Sequence, residues 1–286
     1  MNTVTHTLHH LSLVGEHLTV DPTSYNLHFN DQAYSLFKHG DGISTEHYSD
    51  QLANLLTDRE AIKPDEPVYI SGSAYQFVPT AAAHLAVSLT ATLQNMGYNA
   101  THFRTHNNSI TTKSNIPTGD FSGMDMAQRQ VVMAANKPHL DADDQRMIEG
   151  AKVITVDDIR MTGAHEETLA ELLTRADVDT TLFCYLAVFD PKQGAENARL
   201  EREINQRHMP SLARLAEIAC DQSFLPNARI SRFVLQAATE DLNIFAETIP
   251  PHRLAKLVSN MEADNYDQNP KYIAKLSILR DILQIA

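Results

Sequence analysis

The sequence predicts an α/β fold built on a parallel sheet with helices on both faces, and three observations predict it. Residues 68–70 and 152–156 are short apolar runs bounded by turn residues, and residues 180–189 are apolar almost throughout. Segments of helical spacing, residues 80–96 and 166–175, alternate with these runs. A helix between two strands makes them parallel, and a parallel sheet covered on both faces has continuous apolar strands. After Pro191 the apolar spacing is helical and predicts no further strand.

The elements follow in chain order. The first 45 residues are polar and turn-rich, with strand-like pieces at 17–20 and 26–29. YSLFKHGDG, residues 34–42, sets aromatics around Lys38 and ends in a glycine-bracketed turn. Residues 45–56 have helical periodicity, with Thr45 as the expected N-cap. Pro64 and Pro67 close a linker before the strand at 68, and Ser71-Gly72-Ser73 makes a tight turn. The helix at 80–96 is alanine-rich, which suits close packing on a sheet. Residues 100–104 are expected as the next strand. Residues 105–123 are rich in Asn, Thr, Ser and Gly, and so long a loop inside a compact domain is usually functional or disordered. Residues 124–136 are read as helical, and 141–149 lead into the strand at 152. This divides the chain into an N-terminal extension at 1–60, an α/β core at 61–194 and a helical C-terminal region at 195–286. There is no internal repeat or low-complexity segment.

Composition narrows the function. At 286 residues the chain can bury a large core without disulfides or a structural metal. Cys184 and Cys220 are far apart and are expected reduced and buried. No apolar run has membrane-spanning length, and the N-terminus lacks the order of a signal peptide, so a cytoplasmic location is expected. The net charge is −13, and its distribution is uneven: residues 1–190 hold 11 Lys and Arg against 24 Asp and Glu, while residues 191–286 hold 12 of each. An acidic body argues against nucleic acid as the main partner. A phosphate ligand would be expected to arrive with a divalent cation. The 14 histidines show no zinc-binding spacing.

The chemistry concentrates in VITVDDIRMTGAH, residues 153–165. In open α/β sheets ligands bind beyond the carboxyl ends of the strands, where Asp157 and Asp158 stand. Met161-Thr162-Gly163-Ala164-His165 then opens a helix, whose first N–H groups and dipole suit a phosphate. Gly163 permits close backbone approach and Thr162 offers a hydroxyl. The two carboxylates could take sugar hydroxyls or, through water, Mg²⁺. A receiver domain also pairs two acids after a strand. Asp190 could stand in for its phosphoacceptor, but no suitable lysine follows and Thr-Gly is left unexplained. A merely structural turn is the remaining reading.

This stretch resembles the phosphoribosyl-pyrophosphate (PRPP) motif of the type I phosphoribosyltransferases: four apolar residues, two acids, three variable residues, Thr-Gly and a helix. The resemblance implies that Asp157 and Asp158 hold the ribose 2- and 3-hydroxyls and that Met161 to His165 wrap the 5-phosphate. Upstream, Ser71, Gly72, Ser73, Ala74 and Tyr75 look like the family's pyrophosphate loop, and residues 105–123 occupy the place of its flexible catalytic loop. Arg104, Lys38 and, in that loop, Lys113 are the candidate cations for the diphosphate. Arg160, although inside the motif, is expected to point away from the ligand. The similarity spans about residues 65–190, and the segment FKHGDG is similar to a branch found in bacterial tellurite-type stress-resistance clusters. Two departures stand out: purine-type members carry an aspartate where this chain has Met161, and His165 replaces the usual Thr or Ser.

The expected protein is therefore a type I phosphoribosyltransferase-like sheet flanked by helices, with N-terminal hood-like additions and a helical C-terminal region. Its expected activity is transfer of the 5-phosphoribosyl group from Mg²⁺-bound PRPP to or from a nitrogen nucleophile. Asp157, Asp158 and Lys113 are the expected catalytic residues, with both aspartates near the metal. The expected partners are PRPP and an acceptor, without nucleic acid or membrane, and the chain could pair as a homodimer. The alternative is a PRPP- or nucleotide-sensing protein that kept the fold and lost turnover.

Overall fold

A computed structural model of the protein describes residues 1–15, 17–107, 137–197 and 199–285. Lys113, most of the expected loop at 105–123 and the expected helix at 124–136 lie outside the described residues. The sheet is six-stranded in the order β2-β1-β8-β7-β3-β4, formed by β1 (Asn2–Val14), β2 (His17–Val20), β3 (Val68–Ser71), β4 (Ala100–His102), β7 (Lys152–Arg160) and β8 (Thr180–Phe189). All neighbours run parallel except β1 and β2. A short antiparallel ribbon joins β5 (His106–Asn107) to β6 (Pro138–His139).

The N-terminal segment differs most from expectation. It supplies a long strand that pairs with β8 from Asn2↔Thr180 to Leu11↔Phe189. It also supplies α1 (Asp31–Lys38) and α2 (Gly42–Asp58), whose Tyr34, Phe37, Leu52 and Leu56 enter the same core as Ile154, Val156 and Leu186 of the central strands. Residues 1–60 thus share the sheet and its core. The expected strand at 26–29 is irregular backbone. The α2 N-cap is Asp41, whose carboxylate accepts from the Ser44 N–H at 2.9 Å; Thr45 lies a turn inside.

Alternation along β7 assigns its two faces. Ile154 and Val156 join the core shared with α2 and α3 (Ala81–Asn95), while Val153 points to the opposite side with Ile148 of α4 (Ala142–Ile148) and Leu173 of α5 (Ala164–Arg175). Successive side chains of a strand face opposite ways, so Asp157 and Asp158 are sent to different faces. The acids do not follow the strand as its sequence suggested: β7 continues to Arg160, held by its register with β8.

The C-terminal region is helical, as expected. α6 (Pro191–Glu196), α7 (Leu200–Gln206), α8 (Leu212–Ala219), α9 (Ala228–Gln236), α10 (Thr239–Thr248), α11 (Pro251–Ala263) and α12 (Ile273–Ile285) follow β8. A second core, including Leu215, Val234, Phe245, Leu257 and Leu276, lies among α8 to α12, and Leu36 of α1 packs against it. Both cysteines are free. Burial pushes the Cys184 thiol up to about 12, whereas Cys220, expected buried, is exposed at the end of α8.

Candidate active site

β3 and β7 are adjacent, with Ser71 opposite Thr155, so the loops after both strands open at the same edge of the sheet. The first loop is fixed by close packing. A Cβ on Gly72 would lie 2.5 Å from the Ala82 carbonyl oxygen, so only glycine lets the chain pass under α3. Ser71 is buried, with its hydroxyl 2.9 Å from that of Thr105. Tyr75 bridges to His106, with its N–H donating to the Thr105 carbonyl at 3.3 Å. Arg104 lays its guanidinium 4.1 Å from the Tyr75 ring centre and donates to the Tyr75 and Gln76 carbonyls. Arg104 thus braces the loop expected to take the diphosphate.

The second loop begins at Met161, whose side chain is 3 % exposed and packs in the main core. A Cβ on Gly194 would lie 2.1 Å from the Met161 carbonyl oxygen, so α6 presses directly on this turn. Any part Met161 plays in a phosphate cradle is through its backbone. Gly163 follows at φ +84°, with nothing near its missing Cβ, and forms the N-cap of α5. Among the described residues no side chain caps this helix, and its first amides lie beside the half-buried Thr162, Ala164 and His165. Those N–H groups and the dipole behind them make an anion seat.

Asp157 ties the two loops together. Its carboxylate accepts from the Ser73 hydroxyl at 2.9 Å, from the Asp158 N–H at 2.9 Å and from His165 Nδ1 at 2.8 Å. Burial opposes its charge, but the His165 hydrogen bond and charge, with Lys38 and Ser73, outweigh it and hold the carboxyl below its usual range. Burial likewise works against a charged His165, and the bond to Asp157 overcomes it and raises the imidazole. On the other face, Asp158 accepts from the Ile159 N–H at 2.7 Å and pairs with the Lys38 ammonium. Lys38, expected to meet the diphosphate, is here the buried partner of Asp158. Arg160 pairs with Glu166 of the first turn of α5 at 3.0 Å, and Glu166 also accepts from the Tyr185 hydroxyl at 2.9 Å.

The sequence reading missed several neighbours. Tyr34 is fully buried below Lys38, whose Nζ lies 6.0 Å from its ring centre. Its burial, with the nearby charges of Glu201 and Asp157, raises its hydroxyl well above the usual tyrosine range. Glu201 of α7 and Arg229 of α9 act on Tyr34 and so bring the C-terminal region toward the site. The contact is reinforced by Ala228, whose N–H donates to the Pro79 carbonyl at 3.0 Å, and by His84 Nε2, 3.1 Å from the Pro226 carbonyl. The one signal in the sequence was the paired glycines of YSLFKHGDG, which serve a left-handed turn at Gly40 and a close backbone approach at both positions.

A mostly parallel sheet with an acid pair near the end of its central strand, a glycine-led helix N-terminus and a close-packed first turn is the arrangement of the phosphoribosyltransferase class. The chain belongs to the family described as PRTase ComF-like, whose model matches residues 7–279. No curated protein matches. Among solved structures, the chain is similar to a hypoxanthine-guanine phosphoribosyltransferase of L. donovani at 13 % identity and TM-score 0.34, covering 51 % of this chain and 68 % of that one. A hypoxanthine phosphoribosyltransferase of Staphylococcus aureus matches at 13 % identity and TM-score 0.32, covering 57 % and 67 %. A hypoxanthine-guanine phosphoribosyltransferase of Bacillus anthracis matches at 17 % identity and TM-score 0.31, covering 58 % and 74 %. These likenesses are too slight to carry a function across. The family match names no narrower branch.

Proposed function

We propose that the protein transfers the 5-phosphoribosyl group of PRPP to or from a nitrogen nucleophile. The observation that carries this reading is Asp157, ionised and held between Ser73 of the first loop and His165 of the second. One carboxylate therefore sets the spacing between a seat for diphosphate and a seat for the 5-phosphate.

On this reading the amides of Thr162 to His165 and the positive end of α5 hold the 5-phosphate. Asp157 accepts from the ribose hydroxyls, and Asp158 keeps its orientation through Lys38. The backbone of Ser71 to Tyr75, braced by Arg104, meets the diphosphate. As the C1–oxygen bond to diphosphate breaks, the C1–nitrogen bond forms, and positive charge develops on the ribose beside two carboxylates. Positioning and this electrostatic complement supply the rate enhancement. A base of the purine type is absent, since Met161 stands in its place and is buried.

Mg²⁺ fits the site in one manner. All four carboxylate oxygens of the acid pair already have a partner within the protein. Asp157 and Asp158 would therefore hold the ion through water, and it would enter on the substrate's phosphates, as Mg²⁺ commonly does. When bound it neutralises charge on the departing diphosphate. The acceptor hood falls to the C-terminal helices, because residues 226–228 dock beside the first loop while residues 1–60 are committed to the sheet.

The test is incubation with Mg²⁺, PRPP and a panel of nitrogen bases, following diphosphate release. Release with at least one acceptor is expected, together with loss of PRPP binding in Asp157→Asn. Calorimetric binding of PRPP without release for any acceptor would turn the reading to a sensor. Unchanged binding in Asp157→Asn would remove the site assignment.

A further inference from the structure

We infer that His106, His139 and Asp141 form a binding site for a first-row divalent cation of the Zn²⁺ type, at the β5–β6 ribbon and apart from the acid pair. The inference goes beyond the phosphoribosyl reading and does not depend on it.

The two histidines are direct cross-strand partners in the antiparallel ribbon, their ring centres 5.4 Å apart. Such partners have their side chains on the same face of a ribbon. Asp141 follows two residues after His139 and places Oδ2 3.2 Å from His106 Nε2. One ring nitrogen from each histidine and one carboxylate oxygen lie within 4.8 Å of one another. Metal–ligand bonds of about 2.0–2.1 Å at tetrahedral angles place neighbouring ligand atoms about 3.3 Å apart. The His106–Asp141 separation already has that value, and a small movement of the His139 ring would close the third edge.

Two details are poorly explained by hydrogen bonding alone. Asp141 is the N-cap of α4, the place where an aspartate normally accepts from the helix's first amides, yet it makes no side-chain capping bond. Its carboxylate is turned to His106 instead. His139 has a buried Nδ1 with no hydrogen-bond partner among the described residues, an expensive state for a ring nitrogen. A cation would draw both histidines and the aspartate into one set of bonds. Arg104, whose charge acts on His106, is itself occupied by the Tyr75 ring and the Tyr75 and Gln76 carbonyls. Two imidazoles and one carboxylate suit Zn²⁺ or a neighbouring transition metal far better than Mg²⁺, which prefers an all-oxygen shell. Three protein ligands leave a fourth position for water.

The ion would also join the chain across a long gap, since His106 and His139 stand on either side of residues 108–136. Through the Tyr75–His106 bridge it would sit one residue from the first loop of the candidate active site.

The test uses the full chain, stripped by a chelator and titrated with Zn²⁺ by calorimetry, with Co²⁺ as an absorbing probe of nitrogen and oxygen ligation. One equivalent of Zn²⁺ is expected to bind, and excess Mg²⁺ should not displace it. His139→Ala should weaken Zn²⁺ by at least about 100-fold, the upper end of what loss of a mere supporting partner costs. Asp141→Asn is the second variant: asparagine serves as an N-cap equally well and the residue is exposed, so folding is preserved while affinity falls about 10-fold or more. Asp157→Asn/Asp158→Asn should keep the Zn²⁺ site, which separates it from the acid pair. Absence of stoichiometric uptake, or equal uptake by wild type, His139→Ala and Asp141→Asn, would overturn the inference.

Discussion

Lys38 and Asp158 meet with side chains only 9 % and 10 % exposed, so each charge depends on the other. Removing one partner of a buried pair costs about 3–5 kcal/mol, because the survivor is left uncompensated, while replacing both by neutral groups is often tolerated. Lys38→Met should therefore lower stability by about that amount in urea unfolding, and Lys38→Met/Asp158→Asn should recover most of it. If single and double variants were equally stable, the pair would not be the anchor assigned here. The Asp157–His165 pair makes a prediction in pH. Asp157 is depressed below 3.8, so its contribution is present above that value and lost as pH falls through the folded pKa. His165 is raised above 6.5, so its contribution is complete below that value and lost as pH rises through the folded pKa. The stability advantage of wild type over His165→Gln should thus be greatest in the window from 3.8 to 6.5 and shrink above neutrality. Unfolding at about pH 5.5 and about pH 8.5 checks it, and an advantage that grows with pH would reverse the assignment.

At the scale of elements, the turn between α1 and α2 decides how the helical C-terminal region docks. A Cβ on Gly42 would lie 2.2 Å from the Ser223 carbonyl oxygen, and one on Gly40 2.5 Å from that of Leu225. The Leu225 N–H donates to the Gly40 carbonyl at 2.8 Å. Gly42→Ala must push residue 223 away, and overpacking of this kind costs about 1–3 kcal/mol. The Leu225 amide should then exchange with solvent faster than in wild type. Gly97→Ala is the control: Gly97 has φ +90° and open space, so its strain is local and the Leu225 amide should be unaffected. Equal exchange in both variants would remove the docking role. This contact also marks a limit of what was legible in the sequence. YSLFKHGDG announced a turn, but its partner lies some 180 residues away and leaves no local pattern. The strands β3 and β8 and the helix at 80–96 were legible because apolar runs and an alanine-rich helical spacing are local signals. The strand β1 was not. Its Thr and His residues alternate without an apolar face, only Leu8 and Leu11 are large side chains in the core, and pairing with β8 holds the rest. β7 was cut short at Val156 for a related reason: two acids look like a loop, while the β8 ladder keeps them in the strand. Asp157, Thr162 and Gly163 were singled out from the motif, and the structure brings them to the same end of the sheet as Ser73. The burial of Lys38 against Asp158 depends on α1 crossing the sheet, which no spacing reveals.

For the whole molecule, the excess of acid bears on how an anionic ligand arrives. The net charge of −13 resides entirely in residues 1–190, which contain the candidate site. Several cations of that half are engaged: Lys38 with Asp158, Arg104 with the first loop, Arg160 with Glu166, and Lys152 with Glu66 at 2.7 Å. On the proposed reading, attraction for a phosphate is short-ranged, from the amides and dipole at the start of α5, while the long-range field of the acidic half repels it. Salt separates the two, because it screens distant charges and leaves contact interactions largely intact. The screening length falls from about 30 Å at 0.01 M to about 8 Å at 0.15 M, less than the width of the domain. Association of ribose 5-phosphate, measured by stopped flow without Mg²⁺, should accelerate as salt is raised across that range. This is opposite to the behaviour of a basic cleft that steers anions inward. With Mg²⁺ present the acceleration should be smaller, since the ion reduces the charge that the field repels. A rate that falls with salt would mean that the site's own field attracts anions, and the cation's part in bringing the substrate in would have to be abandoned.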